Sequence, residues 1–137
     1  MSDDVDLAEE LRAAVGDFVR RVRAHDTMPA GQAAVLGHLG RAGSLSIAEL
    51  ARREQVRHQS MTRTVGLLAE QGLVELGTAE TDRRQVVVAI TGEGSERLAT
   101  ERHARASAIA GALRELTPDE RSIATRIPEI LKKLGVA

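Results

Sequence analysis

The stretch VRHQSMTRTVGLLAEQGL, residues 56–73, decides the fold because a helical pattern and an unusual charge pattern coincide in it. Met61, Val65 and Leu68 recur at helical spacing and predict a helix with one face packed on a core. The first twelve positions contain two arginines, one histidine and no acidic residue. Carboxylates on that exposed half would repel phosphate, so their absence suits a helix that approaches an anionic partner.

Three helices are predicted before this stretch. A long one covers residues 5–24, where apolar residues recur in steps of three or four. These residues are Leu7, Leu11, Val15, Phe18 and Val22. A second helix covers residues 30–42 and is expected to stop at Gly43. Ser46 and Glu49 form a predicted capping box that opens a short third helix, IAELARRE.

The pattern changes from helical to strand-like after the opening stretch. The segments LVEL (73–76) and VVVAI (86–90) are rich in valine and leucine and predict two strands. The segment between them, GTAETDRRQ, is too long for a tight hairpin turn. It is therefore expected to project as a polar loop.

Two further helix starts follow the strands. Thr91 is placed as the N-cap of a fifth helix. Thr117 and Glu120 form a second capping box, and Pro128 is expected to kink or break the last helix near Ile127. Five or six helices with one β-hairpin after the fourth predict a mainly α fold. The order is that of a winged helix-turn-helix flanked by long terminal helices.

The opening stretch is predicted to be the recognition helix of this winged helix-turn-helix. The N-terminal half of such a helix enters the major groove of DNA. Arginine reads guanine, glutamine reads adenine and serine reads several base edges, so Gln59, Ser60 and Arg63 are predicted base contacts. Arg57 and His58 begin the same half and belong to the same predicted DNA surface. The plainer alternative is an ordinary surface helix with a solvated polar face.

The polar loop between the two strands is the second predicted DNA contact. Arg83 and Arg84 lie near its tip, where they could enter a minor groove of strongly negative potential. Asp82 is two residues from Arg84 and could brace its side chain. The alternative is a charged loop that serves solubility. The capped short helix, the acid-free helix and the arginine loop, in this order, favour DNA binding.

Composition limits the other classes of function. The net charge is -1, so DNA binding would rest on local charge, and residues 52–63 hold four arginines against one acid. The chain has 137 residues and no cysteine, which excludes disulfides and thiolate metal sites. No apolar run is long enough to span a bilayer, and the acidic N-terminus is unlike a signal peptide. A cytoplasmic location without a membrane partner is expected.

An enzyme is the interpretation from a different class. The chain contains four histidines, which are His25, His38, His58 and His103. They form no His-x-x-x-His pair, and no Gly-rich phosphate loop or nucleophile elbow occurs. We therefore expect no catalytic residue, no metal site and no cofactor.

Over nearly its whole length the sequence resembles the MarR family of bacterial transcription regulators. The matching segments are QAAVLGHLGRAGSLSIAELARR, MTRTVGLLAEQGLVE, TDRRQVVVAITGEG and LTPDER. The resemblance implies a homodimer whose two winged-helix lobes bind a pseudo-palindromic double-stranded DNA operator. It also implies phosphate contacts at Ser46 and Thr62. The positions that match the family's base-facing and wing residues are Gln59, Ser60, Arg63, Asp82 and Arg84.

The resemblance also implies how the chain is organised. Residues 1–137 would form a single domain, in which residues 29–90 are the DNA-binding lobe. Residues 1–28 and 91–137 would be dimerisation helices. The apolar residues expected to pair the subunits are Leu7, Leu11, Val15, Phe18, Ile123, Ile127, Ile130, Leu131 and Leu134. The alternative is that these helices pack only on their own lobe.

The expected function is sequence-specific DNA binding, as a repressor that a small molecule releases. Members of the family often bind small anionic or phenolic ligands between the dimer helices and the DNA lobe. Because Phe18 is the only aromatic residue, a pocket here would be aliphatic, with Arg12 or His38 as a polar handle. A winged helix used only for protein contact, without specific DNA binding, is the alternative.

Overall fold

The elements of the computed structural model, which describes residues 2–135, follow the predicted order with one addition. In chain order they are α1 Ser2–Arg23, α2 Ala30–Ala42, β1 Leu45–Ser46, α3 Ile47–Glu54, α4 His58–Glu70, β2 Val74–Thr78, β3 Val86–Ile90, α5 Gly92–Leu113, α6 Pro118–Ala124 and α7 Ile127–Lys133. The predicted break near Ile127 is confirmed, because α6 ends and α7 begins on either side of Thr125 and Arg126. Residues 1, 136 and 137, at the ends of the predicted dimerisation segments, lie outside the described residues.

The addition is the two-residue strand β1, which the sequence did not reveal. Leu45 pairs with Val88 and Ser46 pairs with Val87, both antiparallel. The sheet therefore has three strands in the order β1-β3-β2, and the prediction of a β-hairpin alone was incomplete. A strand of two residues shows no alternation of polar and apolar residues, so periodicity cannot detect it.

One apolar core lies between α2, α3, α4, the sheet and the start of α5. Its most deeply buried side chains are Leu36, Leu39, Leu50, Leu68, Val35, Val65 and Val88. Burial of such a side chain stabilises the folded state by roughly 1.5–3 kcal/mol relative to exposure. Met61, Val65 and Leu68 are all buried, which confirms the predicted inner face of α4. The core thus fixes which side of α4 is left for a partner.

The helices α3 and α4 form a helix-turn-helix with one unusual residue in its turn. Ser46 Oγ accepts from the Glu49 amide at 3.1 Å, and the Glu49 carboxylate accepts from the Ser46 amide at 3.3 Å. This confirms the predicted capping box, and the backbone hydrogen bond from Ser46 lowers the pKa of the Glu49 carboxyl. Gln55 follows α3 with φ 55°, in the left-handed region that residues other than glycine rarely adopt. With the β2–β3 hairpin as the wing, the fold is a winged helix-turn-helix.

The junction between β3 and α5 is held by a cap and a close backbone approach. The Thr91 hydroxyl accepts from the Gly94 amide at 3.0 Å, which confirms Thr91 as an N-cap. The same hydroxyl donates to the Gly72 carbonyl oxygen at 2.7 Å. A Cβ atom on Gly94 would lie 2.1 Å from the carbonyl oxygen of Leu73, so only glycine fits there. These contacts fix the start of α5 against the base of the wing.

Five residues tie the loop between α1 and α2 to α5, and we call this group the polar clasp. Arg97, Glu101 and Arg105 recur every four residues on α5 and so share one face. Arg105 donates to the Asp26 carboxylate from Nε at 2.7 Å and from Nη2 at 2.9 Å. Thr27 donates to Glu101 from its amide, at 3.1 Å, and from its hydroxyl, while Arg97 donates to the Thr27 carbonyl oxygen at 3.0 Å. Glu101 is only 2% exposed, so these bonds compensate a buried charge.

The chain divides into two compact units between Arg105 and Ala106, inside α5. The second unit contains the end of α5 with α6 and α7. Thr117 and Glu120 form the predicted capping box of α6, and the backbone hydrogen bond from Thr117 lowers the pKa of the Glu120 carboxyl. Within residues 118–133, no side chain of α6 or α7 is buried. The organisation of the chain as one domain stays a prediction.

A bilayer-spanning helix is absent from residues 2–135, since none combines enough length with enough apolar character. The same part of the chain holds no group of three or more histidine or acidic side chains placed to bind a metal ion.

Candidate nucleic-acid interface

The N-terminal half of α4 presents the predicted DNA contacts to solvent. The exposed residues are Arg57, His58, Gln59, Ser60, Thr62 and Arg63. Met61, between them, is buried in the core and so fixes the rotation of the helix. Gln59 and Arg63 lie one helical turn apart and share a face. The structure thus gathers these side chains on one exposed half-helix that carries no carboxylate.

The start of α4 leaves its first backbone N–H groups open to a partner. Arg57 stands at the N-cap position without a side-chain cap hydrogen bond, and the first turn has no acidic residue. These N–H groups lack intrahelical partners and carry partial positive charge, so they are satisfied by water or by an anion such as phosphate. The Thr62 hydroxyl donates to the His58 carbonyl oxygen at 2.9 Å. A phosphate contact by the Thr62 proton would have to replace that bond.

Ser46, a predicted phosphate contact, lies almost fully buried in the lobe. It is only 4% exposed and belongs to strand β1. Its hydroxyl accepts from the Glu49 amide and lies 3.1 Å from Glu49 Oε1, to which it donates. A phosphate contact through this hydroxyl would use the proton that Glu49 Oε1 accepts and would leave both capping-box hydrogen bonds in place, so the contact stays a prediction. Serine serves both purposes in proteins, and residue type alone does not distinguish them.

The wing loop places its two arginines outward and braces one of them. Asp82 Oδ1 accepts from the Arg84 amide at 3.0 Å and lies 3.6 Å from Arg84 Nε. The brace expected from the spacing is therefore present. The Arg84 side chain is 95% exposed, and Arg83 beside it is also exposed. An anchored loop with two outward guanidinium groups, one of them braced by Asp82, suits contact with a phosphate backbone or a narrow groove.

Two further arginines at the end of α3 extend this basic surface, although we did not assign them from the sequence. Arg52 and Arg53 are exposed in the last turn of α3, directly before the turn that leads to α4. Glu54 is the only acid among residues 52–63, and its side chain is partly buried, with Oε1 2.5 Å from His38 Nε2. The Glu54 carboxylate is thus partly buried beside His38 of α2. In the sequence, the four arginines against one acid in residues 52–63 were the signal that could have assigned Arg52 and Arg53 to this surface.

A cavity of about 240 Å³ lies beside α2 and α5. His38, a predicted ligand handle, lines it together with Glu54. Arg12, the other predicted handle, is not among the lining residues. Its guanidinium is exposed and pairs with Glu9 at 2.9 Å within α1. The structure therefore does not bring the two predicted handles together in this cavity.

The apolar residues predicted to pair two subunits are exposed in the single chain. On α1 they are Leu7, Leu11, Val15 and Phe18. In the second unit they are Ile123, Ile127, Ile130, Leu131 and Leu134. Contiguous exposed apolar residues mark contact surfaces in soluble proteins. Their exposure agrees with the prediction and is not explained by packing within either unit.

Known proteins are similar to this chain in sequence and in fold. The profile of the MarR family matches residues 26–85, which span the polar clasp loop, the helix-turn-helix and most of the wing. An uncharacterised HTH-type transcriptional regulator of Mycobacterium leprae is 31% identical, over 98% of this chain and 96% of the relative.

Two solved structures extend the comparison. A putative transcriptional regulator from Pseudomonas aeruginosa superposes with a TM-score of 0.86 and 26% identity, covering 98% of this chain and 96% of that one. The Bordetella bronchiseptica protein BpsR, whose DNA binding is regulated by 6-hydroxynicotinic acid, has a TM-score of 0.62 and 18% identity. The superposed region covers 97% of this chain and 93% of BpsR. The latter likeness concerns the fold alone.

Proposed function

Because the chain belongs to the MarR family of DNA-binding transcription regulators, we propose that it is a homodimeric repressor released from its operator by a small ligand. Proteins of this family bind DNA and are not enzymes. The observation that carries the proposal is the exposed, acid-free half of α4 next to the arginine wing. Each lobe would place α4 in a major groove and the wing in an adjacent minor groove.

Different residues of this surface would carry sequence reading and positioning. Gln59, Ser60 and Arg63 would contact base edges, because their donors and acceptors match those of the major groove. The exposed start of α4, with its free N–H groups, and the wing arginines would contact phosphates. Arg57 and His58, at the start of α4, would meet the groove first and so would set base preference at one edge of the half-site.

The dimer is supported by the apolar surfaces on α1 and on the C-terminal helices. We propose that residues 1–28 and 91–137 pair two copies, while residues 29–90 form the DNA lobe. A second copy would remove the exposed apolar side chains from water, which favours association. Two-fold symmetry would then require an inverted-repeat operator with half-sites about one helical turn, roughly 10 base pairs, apart.

Release by a ligand would act through the spacing of the two recognition helices. A ligand that binds better to a dimer of unsuitable spacing shifts the population away from the DNA-bound form. The regulated DNA binding of BpsR supports this part of the proposal. A regulator of chromosomal genes would work in the cytoplasm, where it meets its operator.

Selection of bound fragments from a random DNA pool tests the proposal directly. We expect enrichment of an inverted repeat, with affinity that falls steeply as salt rises because phosphate contacts release counterions. A shared motif without symmetry would contradict the dimer. Absence of any enriched sequence at every salt concentration would contradict the regulator and favour the alternative, a winged helix that contacts only proteins.

A further inference from the structure

The side chain of His58, the first residue of α4, contacts a hydroxyl of its own helix in a way that fixes where its proton lies. The Thr62 hydroxyl, one turn later, donates its single proton to the His58 carbonyl oxygen at 2.9 Å. The same hydroxyl oxygen lies 3.4 Å from His58 Nδ1. Because its proton is already donated, this oxygen can only accept from Nδ1. The ring therefore carries a proton on Nδ1, either as the neutral Nδ1–H tautomer or as the imidazolium.

This contact leaves Nε2 as the ring nitrogen that is available to a partner. His58 is exposed, and within residues 2–135 no protein atom forms a hydrogen bond with Nε2. In the neutral ring Nε2 accepts, which suits the amino groups of adenine and cytosine. In the imidazolium Nε2 donates, which suits a phosphate oxygen or a base-edge acceptor such as those of guanine. One proton thus decides which atoms of a duplex His58 can bind.

The protein itself does little to stabilise the imidazolium of His58. Within residues 2–135 the ring forms no ion pair with a carboxylate, and Glu54, the acid closest in sequence, contacts His38 instead. Arg57 precedes the ring, and the positive end of the helix dipole disfavours a further cation there. The other charged groups on α4 and on the elements packed against it, α2, α3 and β2, are Arg63, Glu70, Arg41, Glu49, Arg52, Arg53 and Glu75. The charged ring therefore lacks an anionic partner until one binds.

We propose that His58 binds operator DNA as an imidazolium, so that each subunit takes up a proton on binding and affinity rises as the pH falls. This step rests on the function proposed above, because it requires a duplex against the exposed half of α4. There the phosphates of the duplex stabilise the charged ring, whereas Arg57 disfavours it in the free protein. A group that binds its proton more tightly in the complex increases affinity as the pH falls through the range in which histidine titrates, about 5 to 8.

His58 is the residue of this surface that can supply such a pH dependence. The other polar residues on the exposed half of α4 are Arg57, Gln59, Ser60, Thr62 and Arg63. Arginine stays charged, and glutamine, serine and threonine do not ionise near neutral pH. His38, beside Glu54, is a second histidine in the lobe, and any pH dependence that it causes would persist when His58 is replaced. Replacement of His58 therefore separates the two sources.

Nitrogen NMR of the DNA-free, full-length protein tests the state of the ring. At pH 8, the nitrogen shifts of His58 should show a proton on Nδ1 and none on Nε2. Thr62→Val removes the accepting hydroxyl and should increase the share of the Nε2–H tautomer. Thr64→Val is the matched control, because the Thr64 hydroxyl donates to the Ser60 carbonyl oxygen at 3.1 Å. A proton on Nε2 in the wild type, or equal His58 shifts in the wild type and Thr62→Val, would overturn the assignment of Nε2 to the DNA.

Operator affinity at pH 6 and pH 8, measured by fluorescence anisotropy at constant salt, tests the uptake of the proton. The probe is the duplex enriched from the random pool. We expect the wild type to bind about fivefold tighter, or more, at pH 6 than at pH 8. His58→Gln should lose most of this change, whereas His58→Arg carries a permanent charge and should bind tightly at both pH values. His25→Gln, at an exposed histidine between α1 and α2, should behave as wild type.

A random duplex identifies the acceptor on the DNA. An equal effect of pH on the operator and the random duplex supports a phosphate oxygen, and an effect on the operator alone supports a base edge. Equal pH dependence in the wild type and His58→Gln would overturn proton uptake at His58 while leaving DNA binding intact. Absence of binding by every protein to either duplex at both pH values would overturn the proposed function as well.

Discussion

Arg105 and Asp26 form a two-point ion pair across 79 residues of chain, with Nε 2.7 Å from Oδ1 and Nη2 2.9 Å from Oδ2. The hydrogen bonds lower the pKa of the Asp26 carboxyl and raise the pKa of the Arg105 guanidinium. Both shifts have the same cause, because the charged form of each group is the form that makes the bonds. The pair therefore links the α1–α2 loop to α5 only while Asp26 is ionised.

Stability should depend on pH through this pair. A carboxyl whose pKa is lowered by folding contributes stability above its unfolded value, near 3.8, and loses it as pH falls through the lowered folded value. We expect Asp26→Asn to cost about 1–2 kcal/mol of unfolding free energy at pH 7 and progressively less below about pH 4. Urea unfolding at pH 7 and pH 3 measures the difference. Asp17→Asn is the control, and a cost of Asp26→Asn that stays the same at both pH values would contradict the link.

Replacement of the left-handed turn residue of the helix-turn-helix by glycine should stabilise the folded protein. Gln55 has φ 55°, a backbone conformation that is strained for a residue with a Cβ atom and unstrained for glycine. We expect Gln55→Gly to raise the free energy of unfolding by up to about 1 kcal/mol, and Gln55→Val to lower it. Gln71→Gly, at a residue with φ -83°, should not stabilise. Thermal unfolding of the wild type and the three variants measures these differences. A Gln55→Gly protein that is less stable than the wild type would contradict the strain at Gln55.

Arg63 should affect discrimination between sequences. Its side chain is exposed one turn after Gln59, on the face proposed to meet base edges. We expect Arg63→Ala to reduce the ratio of specific to random DNA affinity by about tenfold or more, equivalent to 1–3 kcal/mol for a two-point base contact. Competition anisotropy with operator and random duplexes measures this ratio. An equal loss on both duplexes would assign Arg63 to the phosphate backbone.

Arg84 should affect affinity rather than discrimination. Its guanidinium is almost fully exposed and is steered by Asp82. We expect Arg84→Ala to weaken binding to all sequences and to reduce the slope of log K against log salt by about 1, as for loss of one phosphate contact. Arg12→Ala, at an exposed arginine on α1, serves as the comparison. An unchanged salt slope would mean that the wing does not meet a phosphate.

The apolar stripe of α1 should control assembly. We expect Leu11→Arg to shift the protein toward the monomer, because a charge on a surface that is covered in the dimer must be desolvated. Light scattering at micromolar concentration measures the mass, and circular dichroism checks that the helices persist. Glu10→Arg places the same charge on the neighbouring residue and is the control. A wild type that is already monomeric would remove the basis for this prediction and for the inverted-repeat operator.

The sequence predicted features whose signals are local. Capping boxes bring two residues three positions apart, and the apolar face of α4 repeats every three or four residues, so Ser46 with Glu49 and Met61 with Val65 could be identified before the fold was known. Exposure of the α4 half-helix followed from the same periodicity. Even there, the chemistry of Ser46 was ambiguous, because its hydroxyl could serve a helix or a phosphate.

The features that escaped prediction depend on contacts between distant parts of the chain. Asp26 and Arg105 are an ordinary acid and an ordinary base in the sequence, and only the path of α5 past the α1–α2 loop joins them. The contact of Glu54 with His38, 16 residues apart, likewise partly buries an acid of the basic segment without any local sign in the sequence. Strand β1 is defined by its partner β3 and not by its own two residues.

The pairing of Ser46 with Val87 also constrains the operators that this protein can use. The residue that starts α3 is bonded to the strand that forms one side of the wing, so the helix-turn-helix and the wing cannot slide past each other without breaking the sheet. The distance between α4 and the wing is therefore fixed within each lobe. Among natural operators, we expect the distance from the base pairs read by α4 to the minor groove touched by the wing to be constant within a half-site. Insertions and deletions should be tolerated only at the centre, between the two half-sites.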